Sequence, residues 1–347
     1  MNDYAQHAEP QNAESSGTSY GPVIGWAVAL VLAAVAAVVV VWQVNEQLYS
    51  PETTAESYWE ALRAGDGSQA LGHFHSVPEF TQEEEVDHLL LSDEPLQHSI
   101  ELIDSAALAG TEAGAELDFV VDEETYTTSL PLARTGSSWG FFDTWELAPS
   151  GITWFEVEVP GAPQGGIGQV QVNGEPVNLE GEAARLAAFV PTVAQLSIDS
   201  QWLSGSATHV VTAAEDGESS AERVTLELEA SDEAASVLRE ELTSYFENCD
   251  QQVLMPSGCP VGISTSNRVD PDTISWSFPD PEEFSLTFDA ESWQVTHEEL
   301  VAQISFDAVH HHTGEQVNET AEVPFELDIE VGASGEDLVV SINGATP

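Results

Sequence analysis

Residues 22–42 read PVIGWAVALVLAAVAAVVVVW and contain no charged side chain, which makes this stretch decisive for the architecture of the chain. A helix rises about 1.5 Å per residue, so a run of this length covers the roughly 30 Å hydrocarbon core of a bilayer. Trp26 and Trp42 lie near its two ends, and indole rings prefer the interface between lipid and water. We therefore predict a transmembrane helix over residues 22–44, with Trp26 and Trp42 as its anchors.

Two other interpretations of the apolar run fit less well. A cleaved signal peptide needs a basic segment before the run and small residues at its end. Residues 1–21 instead hold Asp3, Glu9 and Glu14 without any Lys or Arg, and the run ends in bulky side chains around Trp42. A buried core helix would need polar residues within so long a run. Residues 1–21 show no apolar period and are predicted to be a disordered acidic tail.

The charge of the chain excludes several classes of partner. Its 347 residues include 61 Asp and Glu but only 6 basic residues, all of them arginine, which gives a formal net charge of −55. Such a surface repels nucleic acid and anionic lipid headgroups, so no nucleic-acid partner is expected. A hydrophobic content of 42% with nine Trp is too high for a disordered acidic chain. An acidic, lysine-free exterior also fits a high-salt habitat, where screening limits self-repulsion, and we expect halotolerance.

The cysteines decide the predicted compartment, because the positive-inside rule has no Lys or Arg to count before Arg63. Nine residues separate Cys249 from Cys259, and a disulfide between them would stabilise the fold by roughly 3 kcal/mol. A bridge implies an oxidising compartment, and therefore an extracytoplasmic position for the bulk of the chain. Three alternatives stay open: two free buried thiols, half of a metal site, and an orientation in which the acidic tail crosses the membrane and the large domain stays inside.

The periodicity after the span predicts an α+β protein with three units. They are an α+β domain over residues 50–148, a small mostly-β domain over residues 151–230 and an α+β domain with the disulfide over residues 231–347. The first helix is marked by Ser50, Pro51 and Glu52, which give a capping hydroxyl, a proline at the first helical position and an acid in the first turn. Helices are predicted near residues 51–62, 68–74, 82–91 and 232–248. Strands are predicted near residues 99–107, 115–121, 126–132, 139–147, 152–159, 168–177, 186–198, 209–213, 223–229, 273–278, 284–288, 301–311, 323–329 and 338–342.

Two of these units carry a family resemblance. Residues 51–74, followed by WGFFDTW at residues 139–145, resemble the nuclear-transport-factor-2-like (cystatin-like) domains that lie outside a single span in many bacterial envelope proteins. The last unit resembles another such domain through its helix and the PSGCP segment of residues 256–260. The layout is similar to that of the staphylococcal teicoplanin-resistance-associated membrane proteins, although the zinc ribbon common ahead of the span in that family has no counterpart here. The resemblance implies two cystatin-like domains flanking the mostly-β domain in an anchored envelope protein, usually without catalysis.

Two short segments match the beginning or the whole of a catalytic sequence motif, but the residues around them do not suit that chemistry. Residues 17–21, GTSYG, match a nucleophile elbow, but a polar tail precedes them and the apolar run follows them. Residues 297–301, HEELV, begin like a zinc-protease motif but have Val301 in place of the second histidine. We therefore predict no catalytic residue, no cofactor and no metal ligand.

Clusters of histidine and carboxylate have simpler explanations than metal binding. The triplet of residues 310–312, HHH, is interpreted as a solvated hairpin end, because only alternate residues of a strand share a face. His73 and His75 with Glu79 are interpreted as a helix terminus and loop. The acidic runs at residues 83–87 and 280–283 lack the spacing and central glycine of a calcium-binding EF-hand loop and are interpreted as solvated surface.

Aromatic residues along two predicted strands leave one alternative function open. Core packing is the preferred interpretation, but a sheet lined by such residues can also form a cone-shaped pocket, which in enzymatic relatives of this fold is completed by an acid–base pair. Nothing in the sequence identifies a His or Tyr partner for the nearby Asp143. The aromatic residues concerned are Trp139, Phe141, Trp145, Trp154 and Phe155.

These patterns together lead to one expected function and two alternatives. We expect a membrane-anchored, extracytoplasmic and non-catalytic binding or scaffolding protein of a bacterial cell envelope. Its partners would be the lipid bilayer and an envelope protein or cell-wall component. The alternatives are an enzyme or hydrophobic-ligand binder that uses the aromatic pocket, and a cytoplasm-facing acidic adaptor with free cysteines.

Overall fold

The computed structural model describes residues 21–111, 114–139, 142–213, 222–289, 292–334 and 337–344. Within these ranges the protein is mixed α+β, with five α-helices and 21 strands, so strands predominate. Helix α1 runs without interruption from Gly21 to Leu48 and contains the segment predicted to be helical at residues 22–44. The predicted tail and the GTSYG motif, apart from Gly21, lie outside the described residues.

The first unit consists of three helices and an antiparallel meander. Helix α2 (Pro51–Arg63) begins as predicted, because the Ser50 hydroxyl oxygen accepts a hydrogen bond from the Thr53 N–H at 3.3 Å. Helices α3 (Gly67–Leu71) and α4 (Asp93–Glu101) follow it. The strands are β1 (Val86–Asp87), β2 (Ser105–Thr111), β3 (Gly114–Val121), β4 (Glu124–Ser138) and β5 (Phe142–Leu147), and β2 to β5 form the meander in chain order.

The predicted helix at residues 82–91 is wrong. Short 3₁₀ turns at Glu79–Gln82 and Leu89–Leu91 flank β1, which pairs in parallel with a strand of the middle unit. Long-range pairing therefore overrides the local apolar spacing. The strand predicted to begin at residue 99 is also wrong at its start, because α4 continues to Glu101. The overlooked signal is Ser92 followed by acidic residues and Pro95 in the first turn.

The middle unit consists of two sheets. Its strands are β6 (Ile152–Glu158), β7 (Gln169–Val172), β8 (Glu175–Asn178), β9 (Ala183–Phe189), β10 (Thr192–Asp199), β11 (Leu203–Val211), β12 (Glu222–Thr225) and β13 (Glu229–Ala230). One sheet has the order β1-β9-β6-β12 and the other β13-β11-β10-β7-β8. The predicted Asn173-Gly174 turn joins β7 to β8. The single strand predicted at residues 186–198 is wrong, because the chain breaks at Pro191, whose ring nitrogen cannot donate to a ladder.

The third unit begins with helix α5 (Asp232–Cys249), where the Ser231 hydroxyl oxygen accepts a hydrogen bond from the Ala234 N–H at 3.1 Å. Its strands are β14 (Arg268–Val269), β15 (Ser275–Ser277), β16 (Ser285–Asp289), β17 (Ser292–Thr296), β18 (Val301–Val309), β19 (Gln316–Pro324), β20 (Leu327–Ser334) and β21 (Asp337–Gly344). β18 pairs with β14, β15 and β19, while β16–β17 and β20–β21 are hairpins. The strand predicted at residues 323–329 is wrong, because it joins the end of β19 to the start of β20. Strand β17 and most of β19 are not predicted from the sequence, because their exposed faces are polar.

Two apolar clusters form the core, and neither coincides with a single unit. The first cluster joins α2 and the meander to Ile152 and Phe189 of the middle unit. The second cluster joins middle-unit side chains such as Phe155 to third-unit side chains such as Leu238. The predicted boundaries at residues 148–151 and 230–231 stay a prediction, since buried contacts cross both of them.

Candidate functional site

Helix α1 is long and apolar enough to cross a membrane. Its window Val28–Asn45 has a mean hydropathy of 2.4, and none of the window is buried against the described part of the chain. The side chains of Trp26 and Trp42 are 73% and 64% exposed. Water is a poor solvent for such a surface, whereas lipid tails are a good one. The two indoles are therefore free to occupy the interfacial positions that the sequence predicts for them.

The end of α1 contacts the tip of the first-unit meander. The Asp143 N–H donates a hydrogen bond to the Asn45 side-chain oxygen at 2.9 Å. The ring of Tyr49 stacks on that of Phe142, with centroids 4.7 Å apart and planes at 19°. These contacts join strand β5 to Asn45 and Tyr49, at the C-terminal end of the apolar segment. The folded part of the chain therefore begins directly at the end of the helix.

The predicted disulfide between Cys249 and Cys259 is confirmed. The two sulfur atoms are 2.00 Å apart and the two Cα atoms 5.8 Å apart, and Cys249 is buried at the end of α5. The Tyr245 hydroxyl donates to the carbonyl of Gly258 at 3.3 Å, which adds a polar contact across the same loop. Both cysteines are thus used structurally and neither is a free thiol.

A cavity of about 550 Å³ lies where the first unit meets the middle unit. Arg185 of β9 is central to it: its guanidinium nitrogens lie 3.0 Å from a Glu85 oxygen and 3.4 Å from a Glu156 oxygen. The guanidinium carbon also lies 5.5 Å from the ring centroid of Trp154, at cation–π distance. Arg223 of β12 approaches Glu156 at 3.0 Å, so this half-buried carboxylate lies between two arginines.

The lining of this cavity is predominantly acidic. Its lining includes Glu84, Asp87 and Glu180 in addition to the paired carboxylates, so it attracts cations. His88 also lines the cavity, and the lining contains no Ser, Thr or Cys. No group of three or more His, Cys, Asp or Glu suited to a metal ion occurs within the described residues. A lining of this charge is complementary to a cationic group.

The histidine motifs lie in separate places. His297, Glu298 and Glu299 line a cavity of about 480 Å³ beside Pro260. Residues 310–312 form the turn after β18, where the Thr313 hydroxyl lies 3.1 Å from Nδ1 of His310. In the first unit, the Nδ1 atom of His75 lies 2.9 Å from a Glu146 oxygen. Desolvation lowers the pKa of His73, whose ring is edge-on to Tyr58.

The aromatic residues considered for a cone-shaped pocket occupy different environments. Trp139 is 87% exposed at the end of β4, and Trp145 is half-buried in β5. Trp154 lies under Arg185, whereas Phe155, on the opposite face of β6, is fully in the core. Phe141 lies outside the described residues. Asp143 forms an ion pair with Arg134, not with a His or Tyr. The described aromatic residues therefore do not converge on one cavity.

One buried titratable residue was missed by the sequence analysis. His209 in β11 is only 8% exposed, and its ring centroid lies 4.7 Å from that of Phe155. Its Nε2 atom lies 3.7 Å from a Glu222 oxygen and has no hydrogen-bond partner among the described residues. Burial lowers the pKa of His209, although the Glu222 charge acts in the opposite direction. The available signal was strand parity, since His209 shares the inward face of β11 with Val211.

Comparison with known proteins leaves the site to be interpreted from its geometry. No protein-family model, no curated protein and no solved structure matches this chain. Four features of the described residues bear on function: the exposed apolar helix, its contact with β5, the disulfide and the carboxylate-lined cavity around Arg185.

Proposed function

We propose that this chain is a single-span membrane protein whose folded part lies outside the cytoplasm. There it acts as a non-catalytic binding or scaffolding component of a bacterial cell envelope. The observation that carries the proposal is the apolar segment Val28–Asn45, none of which is buried and which leads directly into a folded, disulfide-bonded body. The bilayer is one partner, and an envelope protein or cell-wall component is the other.

The extracytoplasmic placement is supported by the disulfide. A bridge such as Cys249–Cys259 forms and persists in oxidising compartments and is rare where thiol reductants are abundant. The alternative of a cytoplasm-facing adaptor requires free cysteines, and both cysteines are paired. A charge of −55 fits an exterior exposed to high salt, and halotolerance is part of the proposal.

The finer architecture in this proposal is two cystatin-like domains flanking the mostly-β domain. In the first, α2 packs on the β2–β5 meander, and in the last, α5 precedes the sheet around β18. Helix-then-sheet order in both units supports this layout.

A binding role is supported over an enzymatic one by the contents of the cavities. The described aromatic residues that an enzymatic pocket would need are dispersed, with Trp139 exposed at the end of β4 and Phe155 in the core. The cavity around Arg185 has an excess of carboxylates, so we propose that it receives a cationic group of the envelope partner. Because Glu85 and Glu156 are paired with arginine, the other lining carboxylates, Glu84, Asp87 and Glu180, are the ones that we propose for such a group.

The anchor and the topology are tested with the full chain expressed in a bacterium. Carbonate-washed membranes should retain the protein, and protease added to spheroplasts should digest the folded part. Substituting Val35→Lys with Val38→Lys should release the protein, because a lysine at the centre of a span costs about 2.5–3.5 kcal/mol. Glu60→Lys, on the exposed face of α2, is the matched control and should stay in the membrane. Retention of the double-lysine variant, or protection from protease, would contradict the proposal.

The binding role is tested by crosslinking in native membranes. A partner recovered with the wild-type chain should be lost from the variant Glu84→Gln with Asp87→Asn, which alters the cavity around Arg185. The matched control is Glu298→Gln with Glu299→Gln, which removes two carboxylates from a different cavity. Equal recovery with both variants would argue against the cavity as the binding site.

A further inference from the structure

Trp139 occupies an unusual position at the tip of the hairpin formed by β4 and β5. Its side chain is 87% exposed, more than any other large apolar side chain in the described residues, including Trp26 and Trp42 on α1. Its φ of 55° lies in the left-handed region, which bulky residues rarely adopt. The chain therefore presents a large amphipathic ring outward and does not fold it into the core.

The hairpin tip lies beside the end of the apolar window. Asn45 is the last residue of that window, and its side-chain oxygen accepts the hydrogen bond from the Asp143 N–H. The 23 uncharged residues of segment 22–44 rise about 35 Å along α1, enough to cross the roughly 30 Å hydrocarbon core, and Asn45 follows them directly. Asn45, and with it Asp143, should therefore lie where hydrocarbon gives way to headgroups.

The backbone register limits how far Trp139 can be from this level. Ser138 is paired with Phe142, and Phe142 stacks on Tyr49 at the end of α1. Paired strands lie about 5 Å apart and consecutive Cα atoms about 3.8 Å apart, so the Cα atoms of Trp139 and Phe142 are within about 9 Å. An indole at that distance reaches the interfacial layer beside the helix.

The local charge of the tip is compatible with lipid, although the protein as a whole repels anionic surfaces. Residues 135–139 and Phe142 are uncharged. The nearest charges along the two strands, Arg134 and Asp143, form an ion pair with each other. Indole rings enter the interface through their apolar body and N–H group, without needing an opposite charge on the lipid.

We propose that Trp139 is a second membrane contact, inserting its indole among the lipid headgroups next to the span. This inference rests on the proposed membrane anchoring by α1. Together with Trp42 on the helix, Trp139 would hold the first unit at two points and fix its orientation relative to the bilayer. A protein surface is the competing occupant for this side chain, and the test below discriminates between the two.

The test uses the full chain reconstituted into phosphatidylcholine vesicles with the Cys249–Cys259 bridge left oxidised. The variant Trp139→Cys then carries the one reactive thiol and is labelled with an environment-sensitive fluorophore. Its emission should shift to the blue, and lipids spin-labelled near the headgroup should quench it about threefold more than they quench a distant label. The matched control is Val339→Cys in β21, another exposed apolar position on a strand of the third unit.

Flotation of the same vesicles separates the two possible failures. If the protein floats but the label at position 139 has the emission and quenching of the Val339→Cys label, Trp139 does not contact lipid and only this inference is overturned. If the protein does not float, the span itself fails, and the inference fails with it. A second measurement avoids the label: hydrogen exchange in β5 should slow on reconstitution of the wild-type chain, and this protection should be lost in Trp139→Ser. Equal protection in both chains would also overturn the inference.

Discussion

Helices α2 and α5 both begin at a capping serine and both pack one face against antiparallel strands, but they differ in how much they bury. In α2, five of 13 residues are buried, whereas in α5 five of 18 are. Tyr58 of α2 is fully buried, and its hydroxyl donates to the carbonyl of Val190 in the middle unit at 2.9 Å. Cys249 of α5 is covalently bound to Cys259.

This difference indicates two ways of fixing a helix to a sheet. The first unit shares its core with the middle unit, so α2 is held by apolar burial and a buried hydrogen bond. The third unit extends into polar hairpins, and the end of α5 is held by Phe246 among Phe278, Phe284 and Phe325 together with the disulfide. Where less apolar surface per residue is available, a crosslink supplies stability by restricting the unfolded chain.

The largest expected effect is on the packed helix. Leu62→Ala in α2 removes a fully buried side chain, and the loss of transfer free energy and the remaining cavity should lower the free energy of unfolding by about 3–4 kcal/mol. Urea unfolding measures the change, and hydrogen exchange should show it in peptides of α2 before those of α5. Glu60→Ala on the exposed face of the same helix should change stability by less than about 0.5 kcal/mol. If Leu62→Ala increased hydrogen exchange in α5 before α2, the proposed difference between the two helices would be wrong.

A slightly smaller effect is expected from the crosslink. Replacing Cys249 and Cys259 together by serine should cost about 3 kcal/mol, because the open chain regains the entropy of a loop whose ends are 10 residues apart. The third unit should unfold first in urea, and adding reductant to the wild-type chain should reproduce the change. The urea midpoint of Leu62→Ala should lie below that of the wild type by the same amount with and without reductant. Insensitivity of the wild type to reductant would show that the disulfide does not hold α5.

The buried hydrogen bond between the first two units should contribute less. Tyr58→Phe keeps the packed ring but leaves the Val190 carbonyl without its hydroxyl donor, which should cost about 1–2 kcal/mol. Burial also raises the pKa of Tyr58, as expected for a hydroxyl removed from water. The matched control is Tyr126→Phe, whose hydroxyl bonds to Glu124 at the surface and whose loss should be under about 0.5 kcal/mol. Equal losses of stability in Tyr58→Phe and Tyr126→Phe would mean that the boundary between the first and middle units is solvated at Tyr58.

Ionic strength should change the stability of the first and third units by similar amounts, because both are strongly acidic. This response distinguishes the effect of charge from that of packing. Residues 50–148 carry a net charge of −19 and residues 231–347 one of −22. Repulsion among carboxylates should weaken both units at low ionic strength, so Tm should rise by a few degrees between about 10 mM and about 1 M NaCl. Calorimetry of the wild type and of the double Cys→Ser variant should give similar increments. A flat or falling series would contradict the expected halotolerance.

The smallest expected effect is a dependence on pH in the middle unit, which both cores share. Burial lowers the pKa of His209 below its unfolded value of about 6.5, so the unfolded chain takes up the proton first. Its contribution to stability is therefore full above about pH 6.5 and is lost as the pH falls toward the folded-state pKa. His209→Leu should show a smaller decrease in Tm than the wild type between about pH 7.5 and about pH 5.5. Thr208→Val, which changes the exposed neighbour on β11, should keep the wild-type slope.

Several features of the molecule follow from the sequence because they depend on neighbouring residues. The apolar run forms the continuous helix α1, and the Ser50 and Ser231 caps mark the starts of α2 and α5. Only nine residues separate Cys249 from Cys259, which brings the two thiols within bonding reach. Capping, short loops and hydrophobic period are local properties, and a sequence displays them directly.

The tertiary structure decided what depends on residues far apart in the chain. Strand β1 exists because Val86 pairs with Arg185, and the ion pair of Glu85 with Arg185 joins residues 100 positions apart. Because of the same long-range pairing, residues 82–91 form a strand between two 3₁₀ turns and not the predicted helix. The burial of His209 and the convergence of Arg185 and Arg223 on Glu156 likewise arise from the stacking and order of strands. Strand parity places His209 on the inward face of β11, but which groups surround it depends on pairing and burial, which are collective energies of the folded chain.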